Sequence, residues 1–454
     1  MPRYDTIIRN GALVESSGVH STDIGIYEGR IKAIEPDLEG GGTVEVDATG
    51  LHIFPGVIDV HVHFNEPGRA DWEGFEMGTK ALAAGGSTLY CDMPLNSHPP
   101  TTTADAFDLK LKAAQASSLV DFALWGGIVP GNLANLEELV ERGVVGFKAF
   151  MSNSGIEDFE AVDDLTLYKG MEEAARLDSL VAVHAESESI TSALAAQTTN
   201  EGRAGVRDYL HSRPAIAELE AIGRAILFAG ETHCRLHIVH VSTGRGVLMV
   251  AEARARGVDV SCETCPHYLV LTEEDVERLG AVAKCAPPIR SKGEQDALWA
   301  QLADGTLPMV ASDHSPSPPE MKAGADFFKV WGGISGCQSL LTLLLTGGHI
   351  DRKLPLSTIA RVTSGYVAER FGFSRRKGSL DVGADADMVL VDLGAEHTLS
   401  QGDLYYRHRH SPYLGGSMKA KIVRTLVRGI TVFREGTIVS EPIGKLVTPD
   451  RTLL

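Results

Sequence analysis

Residues 55–64, Pro55-Gly56-Val57-Ile58-Asp59-Val60-His61-Val62-His63-Phe64, form a short apolar run that carries two histidines two residues apart. The β-branched residues predict a strand, in which residues i and i+2 point to the same face. His61 and His63 would therefore project together. Two neutral imidazoles with no acid between them suit a metal ion, although an isolated pair of this kind is also common at a wet strand end. The rest of the chain distinguishes between these interpretations.

The middle of the chain repeats the pattern of an apolar run followed by an amphipathic stretch. Strand-like runs occur at 53–63, 87–93, 121–129, 144–150, 180–185, 235–241, 258–263 and 307–313. Helical spacing is found between them, for example at 72–84, 104–116, 133–142, 165–177, 215–229 and 245–256. Eight strands alternating with helices predict an α/β fold of the (β/α)8 barrel type. A doubly wound sheet is the competing prediction, and it is disfavoured because no glycine-rich phosphate loop follows the first strand.

Both ends of the chain are rich in short strands separated by turn residues. Asn10-Gly11, Glu28-Gly29 and Gly40-Gly41-Gly42 divide the N-terminal runs, as expected of hairpins. The same pattern of short strand-like runs occurs again at 388–392, 421–429, 430–433 and 437–439. We therefore predict a small β-sandwich domain built from residues 1–52 and 376–454, with the barrel at 53–375 inserted between them.

Composition limits the partners and the compartment. The chain has 454 residues, a net charge of −18 and 43% hydrophobic residues, so an acidic surface argues against nucleic acid or an anionic membrane as partner. Its six cysteines lie mostly in apolar runs, which predicts buried free thiols in a reducing compartment. No apolar run is long enough for a membrane span or a secretion signal. We expect a cytoplasmic protein with a small-molecule substrate.

The ends of the predicted strands carry groups that bind metals. Catalytic groups of (β/α)8 barrels lie at the C-terminal ends of the strands. The side chains predicted at those ends are His61 and His63 on strand one, Lys148 on strand four, His184 on strand five, His240 on strand six and Asp313 on strand eight. Because five separate strands deliver these groups to one rim, the sequence predicts a metal centre there.

Lys148 is the unexpected member of this set, since an ammonium group has no free lone pair. It lies in Gly146-Phe147-Lys148-Ala149-Phe150, where apolar neighbours predict burial, and burial favours the neutral amine. A neutral amine can take up carbon dioxide and become a carbamate, whose oxygens can bridge two metals about 3.5–4 Å apart. An ion-paired surface lysine is the alternative interpretation.

With these residues in place, the chain resembles the cyclic amidohydrolases, the family of dihydroorotases, hydantoinases (dihydropyrimidinases) and allantoinases, over nearly its full length. The resemblance implies two divalent metal ions per subunit, zinc by preference with cobalt, manganese or iron as alternatives, and carbon dioxide for the modified lysine. It implies a homotetramer or homodimer. The implied roles are one metal on His61 and His63, the other on His184 and His240, a bridging N6-carboxylysine at Lys148, and metal binding plus proton transfer by Asp313.

Three motifs make the resemblance narrower: Cys262-Glu263-Thr264-Cys265-Pro266-His267-Tyr268, Lys284-Cys285-Ala286-Pro287-Pro288-Ile289-Arg290 and Ser312-Asp313-His314-Ser315-Pro316. They are most similar to those of the allantoinase branch. That branch implies hydrolysis of (S)-allantoin to allantoate in purine catabolism, by a hydroxide held between the two metals. A hydantoinase or dihydropyrimidinase is the alternative, with a dihydroorotase less expected. A non-catalytic scaffold of the same fold is an alternative of another class.

Four residues are expected to contact substrate: Asn65, Asn96, Asn153 and Ala286. Dihydroorotases resemble this chain but carry an arginine where Asn65 stands, so a ring with a carboxylate is disfavoured here. Hydantoinases carry a tyrosine where Asn153 stands, and an amide at that place can hydrogen-bond a ureido tail. Ala286 stands where related chains often have serine.

Four further features of the sequence allow a functional or a structural interpretation. The Cys262–Cys265 pair resembles half of a zinc ribbon, but no second pair follows, so packing is the preferred interpretation. His237 is expected to pack on the opposite strand face. The loop that begins at Ser315, within 315–335, is either a rigid connector or a flap over the substrate. Arg375-Arg376-Lys377 is expected to be a solvated junction between domains.

Overall fold

The computed structural model describes residues 4–453. The strands are β1 Tyr4–Glu15, β2 Gly18–Tyr27, β3 Arg30–Glu35, β4 Gly42–Asp47, β5 His52–Pro55, β6 Val57–Val62, β7 Ser87–Asp92, β8 Asp121–Leu124, β9 Gly126–Gly127, β10 Phe147–Phe150, β11 Leu180–His184, β12 Arg235–Ile238, β13 Val260–Cys262, β14 Met388–Asp392, β15 His397–Thr398, β16 Ser417–Met418, β17 Lys421–Val427, β18 Ile430–Arg434 and β19 Thr437–Ile438.

The α-helices are α1 Gly74–Ala84, α2 Ala104–Ser117, α3 Leu136–Glu141, α4 Asp164–Arg176, α5 Glu188–Asn200, α6 Val206–Ser212, α7 Ala215–Thr232, α8 Gly244–Ala255, α9 Pro266–Val270, α10 Glu273–Leu279, α11 Lys292–Asp304, α12 Leu340–Leu344, α13 Leu356–Ala360 and α14 Tyr366–Arg370. Short 3₁₀ turns occur at Leu133–Asn135, Gly280–Ala283, Pro319–Lys322, Cys337–Ser339, Gln401–Asp403 and Arg451–Leu453, and π-helical turns at Leu345–Ile350 and Arg361–Gly365. None of the helices in residues 4–453 is long and apolar enough to cross a membrane.

The middle of the chain is a (β/α)8 barrel and not a doubly wound sheet. Parallel pairing joins β6, β7 and β8 in one sheet and β9 to β13 in a second. The Val145 amide, just before β10, donates to the Leu124 carbonyl of β8 (2.9 Å) and so links the two sheets. On the other side, parallel bridges from Thr264 to Val310 and from Val62 to His314 complete the ring.

The eighth strand, predicted at 307–313, is wrong as a regular strand, because only an isolated bridge forms in this segment. Pro308 has no amide hydrogen to donate. The Ser312 amide donates to the Asp59 carboxylate (3.0 Å) in place of a backbone carbonyl. Asp313 then adopts a positive φ of 46°, which turns the chain out of the strand direction.

The first predicted strand, 53–63, is divided at Gly56. Its first part, β5, pairs with β1 and β14 of the terminal sheet, whereas β6 enters the barrel. A Cβ atom at Gly56 would lie 2.1 Å from the Thr88 hydroxyl, so only glycine allows this close approach to β7. The chain thus passes from the terminal domain to the barrel within one apolar run.

Strands from both ends of the chain form one sheet, in the order β19-β18-β17-β14-β5-β1-β2-β3 with β4 on β1. An antiparallel bridge from Arg30 to Asp385 brings β3 back towards β14. Residues from opposite ends of the order, such as Ile24 on β2 and Leu426 on β17, therefore share one apolar core in a β-sandwich. The domain limits 1–52, 53–375 and 376–454 stay a prediction.

The prediction of a turn at Asn10-Gly11 is wrong. Strand β1 continues through these residues, with a register shift between Ile8 and Gly11 against β2. Asn10 has a positive φ of 59°, and its amide donates to the Asp23 carboxylate (2.8 Å). The two residues therefore form a bulge within one strand. The turn predicted at Glu28-Gly29 does connect β2 to β3.

All six helices expected from the spacing are present, within a few residues of their predicted ends. Hydrogen-bonding side chains fix where several of them begin. Thr103 accepts the Ala106 amide (3.2 Å) before α2, and Asp163 accepts the Thr166 amide (2.7 Å) before α4. The six cysteines are buried and none is in a disulfide, as predicted.

Lys377 contradicts the prediction of a solvated junction, because it is buried between the barrel and the terminal domain. Its Nζ lies 2.6 Å from Asp121, 3.0 Å from Asp385 and 2.5 Å from Asp387. Burial lowers its pKa, but the three carboxylates outweigh that effect and hold the pKa above its usual value. Asp121 is the first residue of β8, so this contact joins parts of the chain that are distant in sequence.

Replacement of Lys377 by methionine is expected to destabilise the protein by about 3–5 kcal/mol, because it leaves buried carboxylates without their cation. Chemical denaturation of Lys377→Met and the parent protein measures this difference. Arg375→Met is the matched control, since its side chain is 68% exposed and its loss should cost about 0.5 kcal/mol or less. An unchanged denaturation midpoint in Lys377→Met would contradict the assignment.

Candidate metal centre

A pocket of about 360 Å³ opens at the C-terminal ends of the barrel strands. All six side chains predicted at the strand ends line it: His61, His63, Lys148, His184, His240 and Asp313. The helices and loops that follow the strands form its outer wall, including Tyr209, Arg213 and Trp331.

His61, His63 and Asp313 form the first group of donor atoms. Nε2 of His61 lies 3.3 Å from Oδ1 of Asp313, and Nε2 of His63 lies 3.6 Å from the same oxygen. The other ring nitrogen of His61 donates to Oε1 of Glu263 (2.5 Å), which leaves the Nε2 lone pair directed towards Asp313. Burial lowers the pKa of His63 to about 4, so this ring is neutral and able to bind a cation.

His184 and His240 form the second group. Nδ1 of His184 faces Nε2 of His240 at 3.0 Å. The remaining nitrogen of His184 donates to Glu186 (2.8 Å), and the Phe150 ring stacks on His184 with centroids 4.6 Å apart. Burial lowers the pKa of both histidines, so two neutral ring nitrogens point into the same space.

Three of the predicted residues, His63, His240 and Asp313, lie beyond the ends of regular strands, and the last two have an unusual backbone conformation. Strand β12 ends at Ile238, and His240 follows with a positive φ of 39°. Asp313 also has a positive φ, of 46°. Residues other than glycine rarely adopt this conformation, and such strain is concentrated at functional sites. The left-handed backbone at these two positions directs both side chains into the pocket.

Lys148 lies on β10 with its amine buried between the two groups of ligands. In residues 4–453 its Nζ has no hydrogen-bond partner, and it lies 5.1 Å from the centre of the Phe150 ring. Burial lowers its pKa to about 8, although Asp313 and Glu263 act in the opposite direction. The sequence-based prediction of a buried lysine is therefore confirmed, and burial makes its amine easier to deprotonate than a lysine in water.

Two carboxylates that orient the histidines were not identified from the sequence. Glu263 binds His61, and its other oxygen accepts from Nε2 of His237 (3.1 Å). Glu186 binds His184 and forms an ion pair with Arg213. A carboxylate two residues after His184 was a usable signal for Glu186, whereas Glu263 is 202 residues from His61. These partners fix which nitrogen of each ring is left to bind a metal.

Replacement of Glu263 by glutamine is expected to weaken metal binding about 10- to 100-fold, because the amide holds the His61 ring less firmly than a carboxylate does. Competition with a chromophoric chelator measures the affinity. Glu274→Gln, at a side chain 63% exposed on α10, is the control and should bind as the parent does. Equal affinity in Glu263→Gln would show that this hydrogen bond does not support the site.

Three of the four residues expected to contact substrate line the pocket: Asn96, Asn153 and Ala286. Asn65 does not. It is buried, and its Nδ2 donates to the Pro316 carbonyl at 3.4 Å. The side-chain oxygen of Asn153 accepts the Gly155 amide (2.8 Å), so its two amide hydrogens are available to a ligand.

The cations that line the outer pocket are already engaged. Arg213 pairs with Glu186, Lys284 donates to the Val330 carbonyl (2.6 Å), and Lys329 pairs with Asp326 (3.2 Å). Within the described pocket, Arg213 is neutralised by the buried Glu186, and the two lysines use hydrogen-bond donors that an anionic substrate would otherwise receive.

The proline- and glycine-rich loop after Asp313 forms one wall of the pocket, through residues 328–333. Lys322 donates to the carbonyls of Trp331 (3.1 Å) and Gly333 (2.5 Å) and so ties the two arms of the loop together. The Trp331 ring contacts Trp72 across the pocket rim, with centroids 4.9 Å apart. That the loop opens and closes as a flap stays a prediction.

Comparisons of sequence and of structure with known proteins identify relatives in one enzyme family. The sequence profile described as "Amidohydrolase family" matches residues 52–439. An allantoinase of Rubrobacter xylanophilus is 60% identical over 451 residues, which cover 99% of each chain. An allantoinase of Solibacter usitatus is 54% identical, over 98% of this chain and 97% of that one. The solved structure of an L-hydantoinase (dihydropyrimidinase) from Arthrobacter aurescens is 38% identical, with a TM-score of 0.96 over 98% of this chain and 100% of that one.

Proposed function

Because the chain belongs to the amidohydrolase family, we propose that it hydrolyses a cyclic amide, and that this amide is allantoin, opened to allantoate. The observation that carries the choice of substrate is the 60% and 54% identity to two allantoinases over nearly the whole chain. The L-hydantoinase of known structure is only 38% identical. The pocket supports the chemistry independently, because it gathers neutral imidazoles, a buried amine and a carboxylate.

The proposed centre would hold two divalent ions, which we assign as zinc because nitrogen and oxygen ligands suit it; cobalt, manganese and iron accept similar ligands. His61 and His63 would hold one ion and His184 and His240 the other. Asp313 would complete the first group. Such a pair of ions supplies an activated water molecule and polarises the carbonyl of the substrate.

Lys148 is proposed to bridge the two ions as N6-carboxylysine. Its amine nitrogen, once neutral, would bond to the carbon of carbon dioxide as one C–O π bond opens onto oxygen; the nitrogen would then release a proton to water, which leaves a carbamate with two oxygens. The support is the position of Nζ, which is buried beside both histidine groups and has no acceptor of its own in the described structure. A carbamate would replace this orphaned donor with an anion where cations are expected.

Asp313 is proposed to move the proton. Its Oδ1 lies 3.3 Å from Nε2 of His61 and 3.6 Å from Nε2 of His63, so a divalent ion held by these groups would keep the carboxylate anionic. An anionic carboxylate can accept a proton from the attacking water as the water oxygen bonds to the ring carbonyl carbon. The same proton then passes to the ring nitrogen as the carbon–nitrogen bond breaks. No net proton is consumed at Asp313.

The outer pocket is proposed to recognise a neutral ring with a ureido tail. Its arginine and lysines are engaged by protein groups, which disfavours the carboxylate of dihydroorotate. The free Nδ2 of Asn153 can donate to the carbonyl of a ureido group. Asn96 and Ala286 also line this part of the pocket, whereas Asn65 lies outside it.

Asn153→Asp is expected to raise KM for allantoin about three- to tenfold, the effect of one lost hydrogen bond of about 1 kcal/mol. The aspartate keeps the oxygen that accepts the Gly155 amide, so the turn is preserved. KM for unsubstituted hydantoin, which has no ureido tail, should stay the same and is the internal control. Equal increases for both substrates would contradict a contact with the tail.

A hydantoinase or dihydropyrimidinase is the second candidate, favoured by the close structural match to the L-hydantoinase. We also propose a homotetramer or homodimer and a cytoplasmic location. The six buried free cysteines support a reducing compartment.

The proposed function is tested by metal removal. Protein treated with a chelator should lose hydrolysis of allantoin, and about two equivalents of zinc with bicarbonate should restore it. Allantoate is measured as the product. Full activity in metal-free protein would rule out the proposed mechanism.

A further inference from the structure

His267 lies beside Asp313, and the proposed mechanism assigns it no role. The Thr264 amide donates to the Met309 carbonyl (3.3 Å), and the Thr264 carbonyl accepts the Ala311 amide (3.0 Å), so the chain before α9 is fixed alongside the segment that leads to Asp313. The hydroxyl of Tyr268 donates to the Pro287 carbonyl (2.7 Å) and fixes the first turn of α9. The position of His267 is therefore set by neighbouring hydrogen bonds.

The His267 side chain is fully buried, yet neither ring nitrogen has a hydrogen-bond partner within residues 4–453. A neutral imidazole has one donor and one acceptor, and leaving both unpaired in the interior costs free energy. A histidine that served only to fill space would be replaced without this cost by an apolar ring. Each unpaired nitrogen therefore indicates a polar partner of its own, and one of the two nitrogens lies near Asp313.

The groups around the ring identify that ligand. One ring nitrogen, an oxygen of Asp313 and Sγ of Cys265 all lie within 4.8 Å of one another. No direct hydrogen bond joins His267 to Asp313, but two hydrogen bonds of about 2.8 Å in series, through one water, span such a gap. The Cys265 thiol is a poor ligand for a metal ion, because burial raises its pKa well above the usual value and keeps it protonated.

We propose that His267 is a positioning residue that holds the Asp313 carboxylate through one ordered water. This inference rests on the proposed function, because Asp313 must present the same oxygen first to the attacking water and then to the ring nitrogen. A water held by His267 restricts rotation of the carboxylate and leaves its proton-accepting oxygen facing the substrate. The segment that follows β13 then orients two of the proposed metal ligands, since Glu263 orients His61 and His267 orients Asp313.

The test compares His267→Phe, which removes both nitrogens and keeps a ring, with His267→Gln, which keeps a donor and an acceptor. In the metal-loaded enzyme, kcat of His267→Phe should fall about 10- to 100-fold, with KM within twofold and two metals per subunit retained. His267→Gln should recover kcat to within about threefold of the parent. Val270→Ala, at the far end of α9, leaves the hydrogen bonds that position His267 in place; it is the matched control and should keep the parent kcat.

The proposal is overturned if His267→Phe keeps the parent kcat, or if His267→Gln is as slow as His267→Phe. If the phenylalanine variant does not fold, His267→Asn replaces it, since its shorter amide should fold but not reach the water; a parent-like kcat would again overturn the proposal. Tight binding of a third zinc ion that is lost in Cys265→Ser would instead make the cluster a cation site. The rates are measured with whichever cyclic amide the parent enzyme hydrolyses, so a wrong assignment of allantoin is distinguished from a wrong assignment of His267.

Discussion

Lys148→Ala is expected to lower kcat for allantoin by at least about 10³-fold and to release most of the bound metal, because the two ions lose the group between them. Small carboxylic acids such as acetate or propionate should restore part of both, since their two oxygens can occupy the space of the carbamate. Metal content and rate are measured on the same samples, with and without added acid.

Lys148→Arg is the control for charge. It keeps a cation at the same position but cannot become a carbamate, so it should lose metal and activity as the alanine variant does, without rescue by acids. Unchanged activity and metal content in Lys148→Ala would remove the lysine from the centre.

Asp313→Asn is expected to lower kcat roughly 10²- to 10⁴-fold, the usual contribution of a general acid–base, while KM changes little. The amide keeps the shape of the carboxylate but cannot accept and return a proton. Steady-state kinetics at matched metal loading measure the effect. Asp326→Asn, at a carboxylate that pairs with Lys329 on the same rim, should keep the parent kcat. A parent-like kcat in Asp313→Asn would assign the proton transfer to another group.

The strand ends could be predicted because they are local features of the sequence. The alternation of apolar runs and amphipathic stretches marks each strand, and the position of a polar residue after a run marks its end. In this way the sequence predicts His61, His184 and Lys148 at one rim of the barrel, and all three line the pocket. The buried state of Lys148 also followed from its apolar neighbours alone.

Contacts between distant residues could not be predicted in the same way. Glu263 meets His61 across 202 residues, and Lys377 meets Asp121 across 256. A charged triplet such as Arg375-Arg376-Lys377 looks solvated in the sequence, and only the packing of two domains shows that its last member is buried. The turn predicted at Asn10-Gly11 was wrong because the Asp23 carboxylate accepts the Asn10 backbone amide in place of a carbonyl of the neighbouring strand, which allows β1 to continue.

Asn65 shows that a residue aligned with a substrate-binding position of related proteins need not itself contact the pocket. The sequence indicates correctly that no arginine is available there, but the structure turns the asparagine towards Pro316 and away from the pocket lining. The argument against a carboxylate substrate therefore depends on the engaged cations Arg213, Lys284 and Lys329. Their partners are set by the tertiary structure.

The central claim is tested most directly by competition between substrates. The metal-loaded protein is offered allantoin, hydantoin, dihydrouracil and dihydroorotate, and kcat/KM is measured for each. We predict the highest value for allantoin, by about tenfold or more over hydantoin, and no measurable turnover of dihydroorotate. A preference for dihydrouracil or unsubstituted hydantoin over allantoin would contradict the account.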